Sequence, residues 1–232
     1  MADTTLLAMP LIAAAQGQKH VTHNEALKVL DGLVQLSVKS RTVTAPPGSP
    51  ADSDRYIIPA GATGAWSGNT DQIAIYVDGA WEYHIPKTGW SCFVEGEGVV
   101  TYLSGTGWQV ASALAAHGAS SALVVKEQEI TVAGATTDST IVIPARAIVL
   151  SVSERVTQAI TGATSFSVGV AGETSKFGGS LGISLGSNNM GVIGPTAYYS
   201  DTAIRLTAAG GSFSGGKVRI AIHYLLFTGS AS

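Results

Sequence analysis

Two different periods of hydrophobic and polar residues divide this chain. From Ala122 onward, apolar residues alternate with polar ones in short runs. In one run Ile148, Leu150, Val152 and Val156 fall on one side. Such alternation is typical of half-buried strands in antiparallel sheets. Five or more of these runs are joined by turns rich in Gly, Ser and Thr, which predicts a jelly-roll-like antiparallel β-sandwich over residues 122–232.

A helical period is clear only near the N-terminus, over residues 16–38. Thr22 and Glu25 have the spacing of a capping box. One narrow stripe is polar, formed by Asn24, Lys28, Asp31 and Gln35. Nearly all other positions are apolar, and a single small β-layer cannot cover so much of a helix. We therefore expect an oligomer or anchor interface at Leu27, Leu30, Leu33 and Val34.

The middle of the chain, residues 41–110, predicts a small β-meander. Asp78 and Gly79 give a strong hairpin signal between two strand patterns. Four Trp residues occur in this part of the chain, and we expect them in its core. Small and polar residues at 111–121 predict a linker. The predicted organisation is thus an anchoring segment with the helix (1–40), the meander (41–110), the linker (111–121) and the C-terminal sandwich (122–232).

The composition narrows the possible partners. Only 12% of the residues are charged, and the formal charge is −3, which argues against a nucleic-acid partner. Low charge with 45% hydrophobic residues indicates a chain that exposes little surface, as in an oligomer. The apolar run 6–15 is interrupted by Pro10 and preceded by no Lys or Arg. It is too short to span a bilayer, so we expect synthesis in the cytoplasm and no membrane insertion. The lone Cys92 predicts a buried thiol without a disulfide.

Residues with catalytic or metal-binding potential form no convincing constellation. His20, His23 and Glu25 lack a metal-binding spacing. Glycoside hydrolysis needs two carboxylates across a cleft, and the nearest candidate, Glu154, is expected to pair with Arg146, Arg205 or Arg219. We therefore predict that the protein is not an enzyme, that it has no catalytic residue, and that it binds no metal and no cofactor.

A polar binding rim is predicted within residues 172–200 and just beyond. This segment is rich in Gly, Ser and Asn and resembles a long connecting loop. Amide, carboxylate and aromatic groups suited to sugars lie there, namely Asn188, Asn189, Tyr198, Tyr199 and Asp201. The alternative is turn chemistry, because Asn tolerates left-handed backbone.

The N-terminal half also resembles a known family. The segment PLIAAAQGQKHVTHNEALKVLDGLVQLSV, followed by APPGSPADSDRYIIPAGATGAW and the DGAW and GTGW turns, is similar to an uncharacterised domain family of alphaproteobacterial prophages and gene transfer agents. The resemblance covers residues 5–110. The segments IPARAIVLSVSERVTQAITGATSF and IRLTAAGGSFSGGKVRIAIHYL are similar to the C-terminal domain that often accompanies it.

This resemblance implies a homotrimeric tail fibre or head spike located on a virion. The N-terminal part would anchor to other virion or capsid proteins, and the C-terminal part would bind host surface polysaccharide. Two alternatives remain open from the residues: a capsule or polysaccharide depolymerase, and a purely structural virion connector.

Overall fold

The computed structural model describes Leu11 and residues 19–230. Within these residues the chain is mainly β, with one α-helix and several sheets. It divides into two compact units: unit 1 ends at Gly118, and unit 2 is Ala119–Ser230. The predicted apolar run 6–15 lies, apart from Leu11, outside the described residues, as does the predicted helix start at 16–18. None of the described helices has the length and apolar character needed to cross a membrane.

The helix α1 is Lys19–Leu33, so the predicted end at Val38 is wrong. Its last backbone bond runs from Val34 N to Leu30 O at 2.9 Å. Gln35 then adopts a left-handed conformation with φ of 53°, which ends a helix. The next residues form the strand Ser37–Val38. Thr22 lies inside α1 rather than at its start, so the predicted capping box is also wrong.

Unit 1 contains short strands, and all of them except the last are arranged in two sheets. The strands are β1 (Ser37–Val38), β2 (Arg55–Ile57), β3 (Ile73–Val77), β4 (Ala80–His84), β5 (Ser91–Val94), β6 (Val99–Ser104), β7 (Gly107–Val110) and β8 (Ala113–Leu114). One sheet has the order β2-β3-β4, and the other has the order β1-β5-β6-β7. The predicted hairpin is present, since Val77 faces Ala80 across a turn in which Asp78 and Gly79 both have positive φ.

Aromatic side chains contribute to the core of unit 1. Trp66 is fully buried, and Trp81 lies edge-on to it with ring centroids 5.1 Å apart. Trp108 donates its indole N–H to Asp71 O at 2.9 Å. Trp90 and Trp108 pack against the second buried cluster of this unit. The expectation that the tryptophans serve the core therefore agrees with their contacts.

Unit 2 contains two antiparallel sheets. Its strands are β9 (Ser120–Thr131), β10 (Thr136–Ile143), β11 (Ile148–Thr161), β12 (Ser165–Val170), β13 (Glu173–Leu181), β14 (Asn188–Ala197), β15 (Thr202–Ala209) and β16 (Gly215–Thr228). The first sheet has the order β10-β15-β12-β13, and in the second the strands of unit 2 have the order β14-β11-β16-β9. Each sheet buries one face. The buried rows include Ile143, Phe166, Val168, Ile204 and Leu206 from the first sheet and Val152, Val156, Val218, Ile220, Ile222 and Tyr224 from the second.

The segment 172–200 is not a loop, as its composition suggested. It contains β13 and β14, joined by a short connection. Some of its glycines allow close packing: a Cβ at Gly191 would lie 2.1 Å from Phe177 O and 2.7 Å from Val152 O. Only glycine fits where two backbones approach this closely.

Candidate functional site

Two residues of the polar stripe of α1 are tied to unit 1, Lys28 through an ion pair and Asp31 through burial. Lys28 Nζ lies 2.6 Å from Asp78 Oδ2 in the β3–β4 turn, and Asp31 is only 4% exposed. A Cβ at Gly32 would lie 2.5 Å from the side chain of Ile75, so the helix backbone sits directly on β3. A surface helix usually packs its apolar side against the sheet and leaves its polar side to water. In α1, residues of the polar side contact the sheet instead.

Arg55 fixes the C-terminal end of this helix. It is buried, and its guanidinium donates to Gly32 O at 3.1 Å and to Ser37 Oγ at 2.9 Å. Burial lowers the pKa of Arg55, while the charges of Cys92, Glu95 and Asp31 act in the opposite direction. A cation that binds the last carbonyls of a helix also interacts favourably with the negative end of the helix dipole.

Apolar side chains of α1 point away from the unit. Leu30 is 46% exposed and Val34 is 39% exposed, and Leu27 is half-buried. These three residues are called the α1 outer face below. The fourth predicted interface residue, Leu33, packs partly against the unit 1 core. Of the four predicted interface residues, Leu30 and Val34 are therefore exposed and Leu27 is partly exposed.

The five predicted sugar-binding residues do not form one rim. Asn188 and Asn189 begin β14, whereas Tyr198, Tyr199 and Asp201 follow its end. A strand of this length spans about 30 Å at ~3.3 Å per residue, and the irregularity in its pairing with β11 shortens that only slightly. The two groups are therefore separate places on unit 2.

Asn189 has a structural role at its end of the strand. Its amide donates to Phe177 O at 3.0 Å and to Glu154 Oε2 at 3.4 Å. Glu154 is 3% exposed, and its other oxygen has no partner among the described residues. Burial raises the pKa of Glu154 to about 7, and the Asn189 hydrogen bond opposes that shift.

The predicted pairing of Glu154 with an arginine is wrong. Arg205 instead binds Asp138 with two bonds of 2.7 Å, and Arg219 lies 3.8 Å from Glu127 and 3.5 Å from Glu129. The reason is orientation, because Glu154 shares the buried row of Val152 and Val156 whereas Arg219 lies on an exposed position of β16.

At the other end of β14, the connection to β15 presents aromatic side chains. Lys176 Nζ lies 5.6 Å from the centre of the half-buried Tyr198 ring. Burial raises the pKa of Tyr198, and the nearby Lys176 opposes that effect. Asp201 Oδ1 accepts a bond from Ala145 N at 2.8 Å, which ties the connection to the segment before β11. Tyr199 is 86% exposed, so its ring is free to stack on a ligand.

Sequence reasoning missed one feature, a shallow cavity on the outer side of the second sheet. The cavity is lined by Arg155 of β11, Arg219 of β16 and Asn188 of β14, among others. Alternation along β11 places Arg155 on the polar side. These residues come together only through the register between strands that are far apart in the sequence, and the sequence contains no local signal for that register.

No group of three or more His, Cys, Asp or Glu side chains that could hold a metal occurs within the described part of the chain. Cys92 is a buried free thiol, and burial raises its pKa to about 12.

Comparisons with known proteins add a domain match. Residues 23–109, from α1 through most of β7, match the family described as "Protein of unknown function (DUF2793)". No curated protein matches the chain. A solved structure described as "Cyanophage Pam1 capsid asymmetric unit" is similar over 51% of this chain and 94% of that chain, with 22% identity and a TM-score of 0.36. Similarity at that level supports no functional assignment.

Proposed function

We propose that this chain is a virion-associated fibre or spike protein of a phage or gene transfer agent. In this proposal unit 1 anchors the protein to the particle and to sister copies in a homotrimer. Unit 2 binds host surface polysaccharide, without catalysis. The observation that carries the proposal is the α1 outer face, where Leu30 and Val34 point away from the sheet that the polar side of the helix covers. An apolar face of this kind marks an association surface.

The strand order of unit 2 supports a fold class that occurs among virion proteins. Counted from β9 as the first strand, the sheets have the orders 6-3-8-1 and 2-7-4-5. From this order we infer a jelly-roll sandwich, an architecture that occurs in viral capsid and lectin domains. Fold does not assign function, so the resemblance of both halves to prophage fibre and head-spike proteins is the second support.

The polysaccharide-binding part rests on Tyr199. An aromatic ring that is 86% exposed offers a large apolar face at a low entropic cost. The non-enzymatic part is supported by Glu154, the carboxyl with the raised pKa. Only 3% of Glu154 is exposed, so its carboxyl offers a sugar almost no surface to contact. A reducing-sugar assay on host polysaccharide tests this point, and released ends would favour the depolymerase instead.

The experiment for the whole proposal measures particles and binding together. Mass spectrometry of purified particles should find the protein, and its absence from them would contradict the virion assignment. Tyr199→Ala should weaken binding to polysaccharide from the host surface about tenfold, as expected for loss of an aromatic anchor. The control is Ile85→Ala in unit 1, which removes a side chain that is 69% exposed. Equal binding by both variants and the wild type would contradict the role of Tyr199.

A further inference from the structure

The cavity missed by sequence reasoning lies on the outer side of the second sheet, beside the start of β14. It has a volume of about 310 Å³, at the lower end of the ~300–1,000 Å³ typical of small-molecule sites. Four strands contribute to its lining, which includes Glu127, Ser153, Arg155, Asn188, Met190 and Arg219 and also the buried Glu154. A cavity of this size suits a short saccharide.

The charges in the cavity are arranged in an unusual way. Arg155 lies directly opposite Arg219 in the pairing of β11 with β16, and like charges in this position destabilise a sheet. Arg219 is partly balanced by Glu127 and Glu129, at 3.8 and 3.5 Å. No ion pair joins Arg155 to any residue of the described chain. On its other side, in the pairing with β14, Arg155 faces the uncharged Asn188.

A second arginine of unit 2, Arg205, has a guanidinium whose donors are paired with a carboxylate, and it serves as a comparison for Arg155. Arg205 binds both oxygens of Asp138 at 2.7 Å, which is the two-bond geometry that guanidinium and carboxylate favour. Arg155 has the same donor fork next to a second cation, and no side chain among residues 19–230 accepts a bond from it. A carboxylate placed in the cavity would give Arg155 that acceptor and would reduce the repulsion from Arg219.

We propose that this cavity binds the carboxylate of an acidic saccharide. The other lining groups fit the rest of such a ligand. The Asn188 amide has capacity beyond its one bond to Gly186 O at 3.2 Å, and Ser153 offers a hydroxyl. Met190 is 60% exposed and provides an apolar surface for the face of a sugar ring. The ligand class is therefore a uronate-type saccharide with one carboxylate per ring.

The biological source of the saccharide rests on the proposed function, which assigns host polysaccharide to unit 2. The two sites are nevertheless distinct, because Arg155 pairs with the start of β14 and Tyr199 follows its end. Variants at the two positions therefore separate failure of this inference from failure of the proposed function.

The test is calorimetric titration of the full chain with trigalacturonate and with the neutral maltotriose. We expect trigalacturonate to bind at least tenfold more tightly than maltotriose, with an affinity that falls as salt is added. Arg155→Gln should weaken trigalacturonate binding at least tenfold, and Arg155→Lys should weaken it less. The matched control is Arg205→Gln, which removes an arginine of the first sheet that is already paired and should leave binding unchanged.

Two results would overturn the inference: equal binding of the neutral and acidic trisaccharides, or wild-type binding by a folded Arg155→Gln variant. Because Arg155 is exposed and faces a like charge, its removal should not unfold unit 2, and circular dichroism checks this. Tyr199→Ala should keep trigalacturonate binding. If it instead abolishes binding while Arg155→Gln does not, the sugar binds at the Tyr199 end and the cavity is not the site.

Discussion

The buried carboxyl of Glu154 makes unit 2 sensitive to pH. In the folded chain its pKa is raised from 4.5 to about 7, because burial disfavours the charged form. The folded state therefore holds a proton that the unfolded state releases between these two values. Below about pH 4.5 both states are protonated and the carboxyl costs nothing. Stability then falls as pH rises, and the full cost is present above about pH 7.

The size of the effect follows from the shift. Each pKa unit corresponds to 1.36 kcal/mol, so the wild type should lose roughly 3 kcal/mol of unfolding free energy between pH 4.5 and 8. Glu154→Gln cannot ionise and should lack this loss. Its amide oxygen can keep the bond from Asn189, but its NH₂ takes the place of the oxygen without a partner. The O–H of the protonated carboxyl lacks a partner among the described residues in the same way, so the variant should be close to the wild type in stability at low pH and more stable than the wild type as pH rises.

Urea denaturation at fixed protein concentration from pH 4.5 to 8 measures this difference. All four Trp residues lie in unit 1, so Trp fluorescence follows unit 1 as an internal control, and circular dichroism also follows unit 2. The control variant is Glu127→Gln, which neutralises an exposed carboxylate on β9 and should remain parallel to the wild type. Parallel pH profiles for Glu154→Gln and the wild type would refute the reasoning.

Three further predictions concern packing. Gly191→Ala should destabilise unit 2 by ~1–3 kcal/mol or more because the new Cβ would meet backbone oxygens. The control is Gly194→Ala on the same strand, where a Cβ meets nothing within 4 Å and the substitution should be tolerated. Equal denaturation midpoints for the two variants would contradict this. Cys92 should react with a thiol reagent at pH 8 only after unfolding, since its pKa is about 12, and fast labelling of native protein would be inconsistent with burial. Arg55→Gln should speed amide exchange at the end of α1 by removing a charged bond worth about 1.5–3 kcal/mol to Gly32 O, and unchanged exchange would show that Arg55 does not hold the helix.

Hydrophobic alternation predicted much of unit 2, because one buried face imposes a period of two. It failed on β11, where the pairing is irregular between Val149 and Ser151. Val149 rather than Ile148 is fully buried. Such a bulge shifts every side chain before it to the other face, and nothing in the local sequence announces it.

Glycine content misled the interpretation of residues 172–200. Gly and Asn favour turns locally, but Gly178 and Gly191 lie in strands where a Cβ would meet neighbouring atoms at 2.7 and 2.1 Å. The end of α1 was misplaced for a related reason, because pairing with β5 overrides the apolar helical spacing of Leu36 and Val38. The cavity at Arg155 could not be predicted, because it depends on strand partners more than 30 residues away in the sequence.

The central claim is that the α1 outer face is covered by another chain. Sedimentation velocity of the full chain at micromolar concentration tests it most directly, with Leu30→Asp compared with the exposed control Ile85→Asp. The account predicts a wild-type species of three times the 23.6 kDa chain mass. Leu30→Asp should dissociate it, and the control should not. A monodisperse wild-type species at the mass of one chain would contradict the account.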